Sequence, residues 1–355
     1  WCGGNPFHHH QDLNRLLKAW RRPETVIVNE PWWTPTAKLA DIVLPATTTL
    51  ERNDIGASSR DRFVMAMKQA VEPVGGARDD FDIFNALAGR MGVREAFSSG
   101  RDEMGWLRHL YDQACERVAD SGLNLPDFDT FWAEGYVETP MPDEAYNVLA
   151  DFRADPVGNR LATPSGKIEI YCEEIAGVGY DDCPGHPVWM APADGLGSAM
   201  AARFPLHLIS NQPTHKLHSQ LDFVGPSRAH KVGGREVALL SPEEALRRGI
   251  EDGAFIKVYN DRGHTIAVAR ISETVMDGVV MLPTGAWFDP TSPGGEGGTE
   301  KHGNPNVLTL DKGTSKLGQG PIAHTALVEV ELFEGEPPPV SAFELPQIVP
   351  LADAG

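Results

Sequence analysis

Near its start the chain reads Gly3-Gly4-Asn5-Pro6-Phe7-His8-His9-His10-Gln11-Asp12. A glycine-rich turn that leads into a helix, here at Gln11, is typical of sites that hold a phosphate or a nucleotide. Glycine lets the backbone come close to the anion, and the free N–H groups of the first helical turn point at it. Such a turn normally follows a strand, of which Trp1-Cys2 is the only trace. The sequence therefore predicts the C-terminal part of a longer protein, cut inside an α/β domain, with room for catalytic residues upstream.

The residues after this turn alternate between helix and strand patterns. The predicted elements are a helix over 11–20, a strand over 25–29, a helix over 35–39 and a strand over 41–44. This alternation predicts the parallel sheet of a partial, Rossmann-like α/β domain, which we place at residues 1–150. Ligands of such sheets bind beyond the carboxyl ends of the strands, where Asn5, Asn29 and Glu30 fall.

Less regular features follow this first pattern. Alternating apolar residues over 63–67 predict an edge strand. Asp80 is predicted to cap a helix that ends at Gly92. Residues 151–204 are rich in Pro, Gly and Asp and are predicted to form a linker, which contains a short strand over 167–171.

The pattern changes to β from residue 205 onward. Short strands are predicted over 206–209, 237–240, 254–259, 265–268, 279–282 and 325–330. The stretch Ser241-Pro242-Glu243-Glu244 is a capping box that begins a helix, and Gly249 ends it. Six strands with one or two short helices predict a small β-barrel domain over 205–332, followed by an extended tail over 333–355.

Composition limits the classes of protein to which the chain can belong. Its 355 residues are 41% apolar and include 36 Gly and 28 Pro, which favours a loop-rich enzyme of two or three domains. The net charge of −19 argues against nucleic-acid or anionic-membrane partners, which require a basic surface. The four cysteines show no metal-ligand spacing, so zinc or iron–sulfur ligation within this segment is not predicted, and free buried thiols are expected. No apolar run approaches the ~20 residues of a membrane span.

Two polar clusters belong to the first domain. The histidines at 8–10 suit either helix capping and packing or contact with an anion or nucleotide. A three-histidine metal site is disfavoured, because adjacent helical side chains point ~100° apart. Asn29, Glu30 and Asp54 form the second cluster, since acidic residues beyond a strand often accept hydrogen bonds from a ribose or a guanine edge. Ordinary turn chemistry is the alternative for them.

Two further polar clusters belong to the predicted barrel. Residues 210–220 follow a buried strand directly and contain two histidines, a lysine and amide side chains, which suits a polyanionic ligand better than solvent alone. Residues 302–321 place Asn304 and Gln319 among glycines that let the backbone approach a flat heterocycle. No nucleophile–base pair or recognised catalytic motif accompanies them. These clusters indicate a large polar cofactor, and no catalytic residue is assigned.

Several of these stretches resemble the molybdopterin oxidoreductases of the dimethyl-sulfoxide reductase family, in particular its reductases of biotin sulfoxide, trimethylamine N-oxide and dimethyl sulfoxide. The most similar stretches are 3–12, 29–38, 40–47 and 210–222. The resemblance covers nearly the whole chain. It implies molybdenum bound through two molybdopterin guanine dinucleotides, and a barrel of the double-psi type that closes over both pterins.

The resemblance also implies roles for individual residues. Those expected to face a nucleotide end are Asn5, His10, Asn29, Glu30 and Asp54. Those expected to contact pterin or diphosphate groups are Gln212, His218, Gln220, Asn304 and Gln319. The serine that ligates molybdenum in these reductases lies upstream, so no metal ligand is assigned in this chain. Trp287 either lines the substrate approach or packs in the core.

The implied activity is removal of oxygen from an S-oxide or N-oxide, with electrons from a donor protein or a reduced nicotinamide system. The 355-residue chain alone is predicted to be inactive. The alternatives are another bis-pterin molybdenum or tungsten enzyme, of the formate dehydrogenase or nitrate reductase type, and a non-catalytic nucleotide-binding module. Relatives occur in the cytoplasm and the periplasm, and the unpatterned cysteines lean slightly toward the cytoplasm.

Overall fold

The computed structural model describes residues 1–58, 60–120, 122–141, 147–292 and 298–346. Its α-helices are α1 (Pro6–His9), α2 (Leu13–Trp20), α3 (Pro35–Lys38), α4 (Asp80–Arg90), α5 (Arg94–Ser98), α6 (Glu103–Ala119), α7 (Phe128–Glu134), α8 (Ala150–Ala154), α9 (Glu173–Val178), α10 (Gly225–Ala229) and α11 (Pro242–Arg248). Its strands are β1 (Ile27–Asn29), β2 (Ile42–Leu44), β3 (Asp54–Ala57), β4 (Phe63–Met67), β5 (Tyr136–Glu138), β6 (Leu206–Ile209), β7 (Val237–Leu240), β8 (Phe255–Asn260), β9 (Gly263–Ile271), β10 (Val279–Met281) and β11 (Leu327–Leu332).

The chain divides into two compact units. Unit 1 comprises Trp1–Gly3, Ile27–Trp32 and Val43–Ile168, and unit 2 comprises Gly4–Val26, Trp33–Ile42 and Glu169–Gly355. Within the described ranges, no helix combines the length and the apolar character needed to cross a membrane.

Unit 1 contains the strands predicted near the start of the chain. Strand β1 pairs with β2 in a two-stranded sheet, and Cys2 forms a parallel bridge with Asn29. The N–H of Glu30 donates to the carbonyl of Leu44 at 3.2 Å. Both predicted strands are confirmed, although each is shorter than its sequence pattern.

The three-stranded sheet of unit 1 corrects one prediction. Strand β4 lies between β3 and β5 and is antiparallel to both, so the expected edge strand is a central one. Val64 and Ala66 of β4 pack against a small core of Leu107, Tyr111, Phe128 and Phe131. Phe63 and Met65 point to the opposite, exposed face. The alternation was real, but sequence alone did not show that β4 has partners on both sides.

Helix α4 and residues 167–171 correct two more predictions. The N-cap of α4 is Asp79, and Asp80 is the first helical residue. The Asp80 carboxylate accepts a hydrogen bond from Asn29 Nδ2 at 2.9 Å, so it contacts a distant segment and does not cap the helix. Residues 167–171 form no strand, and Ile168 and Ile170 are exposed without sheet pairing.

Unit 2 is built around a closed six-stranded barrel in the order β10-β6-β11-β8-β9-β7. The β10–β6 and β7–β9 pairs are parallel, and the other neighbours, including the closing β10–β7 pair, are antiparallel. All six predicted strands are present within a few residues of their expected bounds. Helix α11 begins as predicted, because the Ser241 hydroxyl accepts a hydrogen bond from Glu244 N, and Gly249 ends it with φ +63°.

The first helices pack in unit 2. The helix expected over 11–20 is present as α2, two residues shorter at its start. A further short helix, α1, begins at Pro6, and the left-handed backbone of Asp12, with φ 45°, lies between the two. The Asp12 side chain then caps α2 by accepting from Arg15 N at 3.1 Å. Phe7 and Leu13 belong to the barrel core, which fixes the histidine tract in position.

Candidate functional site

The loop that follows β6, over residues 210–222, is here called the polar loop. Its shape depends on Gln212, whose Nε2 donates to the carbonyl of Lys216 at 2.5 Å and whose Oε1 accepts from His218 N at 3.1 Å. His218 and Gln220 are exposed, and His218 has a left-handed backbone with φ 50°. The loop thus presents an imidazole and an amide to solvent from a backbone that is bonded internally.

A buried ion cluster lies beneath the polar loop and consists of Lys216, Asp222, Lys231 and Glu236. Lys216 Nζ lies 2.7 Å from Asp222 Oδ1 and 2.5 Å from Glu236 Oε1. Lys231 Nζ lies 3.0 Å from the same Asp222 oxygen and also contacts Glu236 Oε1. The four side chains are at most 3% exposed, and their formal charges cancel. Buried charges require this kind of mutual pairing, because an isolated one would be strongly destabilising.

The cluster controls the charge state of Asp222. Burial by itself raises the pKa of this carboxyl. The charges of Lys231, of His302 (which is protonated at the low pH where Asp222 titrates) and of Lys216 outweigh burial and lower the pKa to about 2. The carboxylate is therefore ionised at neutral pH. Its Oδ2 accepts a hydrogen bond from Trp287 N at 3.1 Å.

Two buried histidines adjoin this cluster. His8 of α1 contacts the hydroxyl of Ser219 through Nδ1 and stacks on Trp287 with ring centroids 5.1 Å apart. Burial lowers the pKa of His8 to about 3. His302 donates through Nδ1 to the carbonyl of Trp287 at 2.8 Å, and burial lowers its pKa to about 4. Both imidazoles are consequently neutral at pH 7.

Trp287 packs in the interior rather than on the surface. Of its two expected roles, the structure favours core packing over lining the substrate approach. It contacts His8, Phe223 and Phe343, and its indole N–H donates to the carbonyl of Ser219 at 3.1 Å. Trp287 therefore supports the polar loop from within unit 2.

Asn304 lies at the start of a 3-10 helix over Pro305–Val307 and is fully buried. Its Nδ2 donates to the carbonyl of Ala286 at 2.8 Å, and its Oδ1 accepts from Asn306 N at 2.9 Å. These bonds occupy the amide in the structure as it stands. The pterin or diphosphate contact expected of Asn304 stays a prediction, and it would require an approach through the backbone or a local rearrangement.

The remaining predicted residues of unit 2 are closer to solvent. Gln319 is exposed and, through Nε2, donates to the carbonyls of Ser315 at 2.9 Å and Lys316 at 3.0 Å. Asn5 Oδ1 accepts from the hydroxyl of Thr36 at the start of α3. His10, the exposed C-cap of α1, follows His9, with ring centroids 5.3 Å apart. The pKa of His9 is lowered, first by burial and then by His10 and His218.

The predicted residues of unit 1 form a separate group. Asn29 is buried at the end of β1 and donates to Asp80. Glu30 directly follows it, with its N–H bonded to the neighbouring strand. Asp54 starts β3, where its Oδ1 accepts from Ile55 N at 2.8 Å and its Oδ2 lies 3.5 Å from Arg52. Asn29 and Glu30 therefore share one sheet edge, whereas Asp54 belongs to the antiparallel sheet.

Unpartnered buried atoms show what unit 2 can accommodate. The buried side-chain atoms without a hydrogen-bond partner there include His8 Nε2, Asn211 Oδ1, His215 Nε2 and His302 Nε2. Buried polar atoms normally have partners, so a concentration of orphaned ones around the polar loop is unusual. Donors and acceptors of this kind suit a ligand rich in heteroatoms. In the described part of the chain, no group of three or more His, Cys, Asp or Glu side chains is placed to hold a metal ion.

Sequence reasoning missed the residues that hold the polar loop in position. The sequence pattern indicated Lys216 only as a group for a polyanionic ligand, whereas its ammonium is buried and paired with Asp222 and Glu236. The pattern indicated no role for Asp222, Lys231 or Glu236. The one available signal was a lysine and an aspartate six residues apart in a loop that follows a buried strand.

Family models match both parts of the chain. Residues 1–90 match the model described as molybdopterin oxidoreductase, and residues 206–327 match the molydopterin dinucleotide binding domain. The second match covers five of the six barrel strands, ends at the first residue of β11, and includes the polar loop and the buried ion cluster.

Individual relatives agree with the family models. The chain is 51% identical over 337 residues to the biotin sulfoxide reductase of Cereibacter sphaeroides, an alignment that covers 95% of this chain and 44% of that protein. It is 48% identical over 350 residues to the dimethyl sulfoxide/trimethylamine N-oxide reductase of the same organism, covering 98% and 42%. Identity to the trimethylamine-N-oxide reductase of Haemophilus influenzae is 44% over 359 residues, covering 98% and 43%. The chain thus spans about two fifths of the length of the curated relatives it matches.

A solved structure supports the fold. The acetylene hydratase of Pelobacter acetylenicus superposes with a TM-score of 0.69 at 24% sequence identity, over 93% of this chain and 43% of that one. At this identity the likeness bears on the fold and not on the reaction.

Proposed function

Because this chain belongs to the molybdopterin oxidoreductase family, we propose that it forms the cofactor-binding part of a molybdenum-dependent S-oxide or N-oxide reductase. The substrates we propose are of the biotin sulfoxide, methionine sulfoxide, trimethylamine N-oxide or dimethyl sulfoxide class. The names of its relatives support this substrate class, since they are reductases of such oxides at 44–51% identity. An electron-donor protein or a reduced nicotinamide system would supply the electrons. We favour the cytoplasm as the compartment, because the four cysteines are free thiols.

The observation that carries the proposal is the construction of the polar loop within the matched dinucleotide-binding domain. Exposed His218 and Gln220 project from a loop whose backbone is fixed by Gln212 above and by the buried ion cluster below. Orphaned polar atoms lie around it. A cofactor site benefits from such preformed donors, because binding then costs less ordering of the protein.

The residues divide into two proposed roles. In unit 1, we propose that Asn29, Glu30 and Asp54 face a nucleotide end. Asn29 and Glu30 follow a strand directly, and ligands of parallel sheets of the Rossmann-like type bind beyond the carboxyl ends of their strands. In unit 2, Asn5 and His10 are proposed to face a nucleotide end, and the residues proposed to contact pterin or diphosphate groups are Gln212, His218, Gln220, Asn304 and Gln319. The barrel, with its two parallel pairs among antiparallel ones, is proposed to be of the double-psi type.

The bound cofactor, molybdenum with two molybdopterin guanine dinucleotides, would supply the two-electron oxygen-transfer chemistry. The chain's own task is binding and orientation. Imidazole and amide N–H groups can donate hydrogen bonds to diphosphate oxygens. The charges of the buried ion cluster are paired with one another, so they are not available to bind the ligand.

The proposal can be tested with the full-length protein, produced in a host that makes molybdopterin guanine dinucleotide. We expect molybdenum and acid-released guanine nucleotide in the purified protein, and oxidation of reduced viologen by biotin sulfoxide, dimethyl sulfoxide or trimethylamine N-oxide. The double variant His218→Ala/Gln220→Ala should contain less nucleotide. The matched control is Lys257→Ala, which removes an exposed ion pair with Glu331 on the barrel and should leave the content unchanged. A wild-type protein without molybdenum and guanine nucleotide would refute the proposal.

A further inference from the structure

The backbone of the polar loop adopts an unfavourable conformation at two positions. His218 and Leu221 have φ values of +50° and +64°, in the left-handed region that side chains other than glycine seldom occupy. Such geometry persists only where the surrounding structure enforces it. Both side chains are exposed, so burial of apolar surface does not enforce it. Contacts beneath the loop must do so.

Asp222, at the end of the loop, is fully buried and makes those contacts. One of its oxygens lies 2.7 Å from Lys216 Nζ and 3.0 Å from Lys231 Nζ. The other accepts from Trp287 N at 3.1 Å. A single carboxylate therefore joins the polar loop, the end of helix α10 and the turn over 284–290.

The turn over 284–290 contacts the polar loop a second time. The indole N–H of Trp287 donates to the carbonyl of Ser219 at 3.1 Å. Gly285, with φ +97°, approaches so closely that a β-carbon there would lie 1.7 Å from the carbonyl oxygen of His218. The turn over 284–290 thus contacts the backbone of His218 and Ser219 directly and is itself bonded to the Asp222 carboxylate.

We propose that Asp222 is a positioning residue for cofactor binding: its buried carboxylate keeps the exposed face of the polar loop, with His218 and Gln220, in a preformed geometry. Asp222 touches no ligand itself. The inference rests on the proposed function only for the identity of the ligand. If Asp222 acted merely as one half of a buried ion pair, removing any comparably buried pair of unit 2 would have the same effect.

The decisive variant is Asp222→Leu/Lys231→Met. It removes one carboxylate and one ammonium, leaves Lys216 paired with Glu236, and keeps the buried charge at zero, a kind of replacement that often preserves stability. In cofactor-free protein, we expect amide hydrogen exchange in peptides covering 214–222 and 284–290 to become about tenfold faster or more. The reason is that the closed loop of the variant lacks the charged hydrogen bonds that oppose its opening. Guanine nucleotide per chain should fall in protein from the cofactor-producing host.

The matched control is Glu244→Leu/Arg248→Met, which removes an ion pair of low exposure on helix α11 of the same unit. It should leave exchange in both peptides and the nucleotide content at wild-type values. A second variant, Asp222→Asn, offers one acceptor where the carboxylate offers two, and should accelerate exchange in the same peptides.

Three outcomes would overturn the assignment of Asp222. The first is unchanged exchange in the Asp222→Leu/Lys231→Met variant, and the second is an equal acceleration of exchange in the Glu244→Leu/Arg248→Met control. The third applies if the double variant does not fold, and it is unchanged exchange in Asp222→Asn. Failure of the proposed function is separate, because wild-type protein would then lack the nucleotide while the exchange experiment, done without cofactor, still reports on Asp222.

Discussion

Removal of one charge from the buried ion cluster gives the sharpest test of its energetics, and Glu236→Gln does so with little change in shape. Glu236 Oε1 contacts Lys216 Nζ at 2.5 Å and also Lys231 Nζ, and the Glu236 side chain is 3% exposed. Burial raises the pKa of this carboxyl, but the two ammonium groups, Lys231 and then Lys216, bring it below its usual value. In the variant, two buried ammonium groups share the single carboxylate of Asp222. One positive charge is then uncompensated.

The expected loss follows from that uncompensated charge. Breaking a buried ion pair by removing one partner costs about 3–5 kcal/mol. In a unit of this size, the melting temperature falls by roughly 2–4 °C per kcal/mol, so the transition of unit 2 should move down by roughly 6–20 °C. Thermal unfolding followed by tryptophan fluorescence measures this shift, because Trp287 lies beside the cluster.

A charge-balanced double variant is the control. Glu236→Gln/Lys231→Met leaves Lys216 with Asp222, so the buried charge is again zero. We expect it to recover most of the lost stability, with a coupling energy of at least about 1 kcal/mol in the double-mutant cycle. A loss below about 1 kcal/mol in Glu236→Gln would place these side chains among ordinary surface ion pairs and contradict the structure.

Three further predictions concern other parts of the chain. The pKa of His8, which burial lowers from 6.5 to about 3, means that unfolding takes up a proton in acid, so the stability that His8 contributes above pH 6.5 is lost as the pH falls. Urea titrations at pH 7 and pH 5 give the free energy of unfolding at each pH. Between these two pH values it should fall by about 2 kcal/mol more in wild type than in His8→Gln, and an equal fall in both would contradict a neutral buried imidazole. Gly285 has φ +97° and lies against the carbonyl of His218, so Gly285→Ala should lower the free energy of unfolding by about 2–5 kcal/mol. Wild-type stability of this variant in urea would show that the turn over 284–290 does not contact the polar loop. Phe131→Ala removes a fully buried ring that stacks on Tyr111 at 4.2 Å and should destabilise unit 1 by about 3–5 kcal/mol, measured by the same titration, where a loss under about 1 kcal/mol would contradict this packing.

Local sequence patterns predicted the barrel well. Each of its strands is a short apolar run between turn residues, and the capping box at Ser241 needs only residues of its own helix. These signals are local, so one sequence is enough to read them. The same holds for the strands that became β1 and β2.

Two of the predictions that proved wrong depended on distant partners. Asp80 looked like a helix cap, but it bonds to Asn29, 51 residues away. Strand β4 looked like an edge because its partner β5 lies beyond helices α6 and α7. Periodicity carries no record of such pairings. Of the candidate site residues, the sequence indicated the exposed side chains of the polar loop but not what holds them.

The polar loop also shows why charges are buried beneath it. Its apolar residues Leu217 and Leu221 are 57% and 54% exposed, so they contribute little to anchoring it. The polar loop presents polar groups to solvent and packs few apolar side chains on its opposite face. It is therefore held mainly by polar contacts on the side of the buried ion cluster. Hydrogen-bonded charges are directional, whereas apolar packing is not, and they define a single backbone geometry at positions such as His218. On this argument, the buried ion cluster serves the uniqueness of the loop more than the stability of unit 2, and replacing it with apolar residues should preserve folding while loosening the loop.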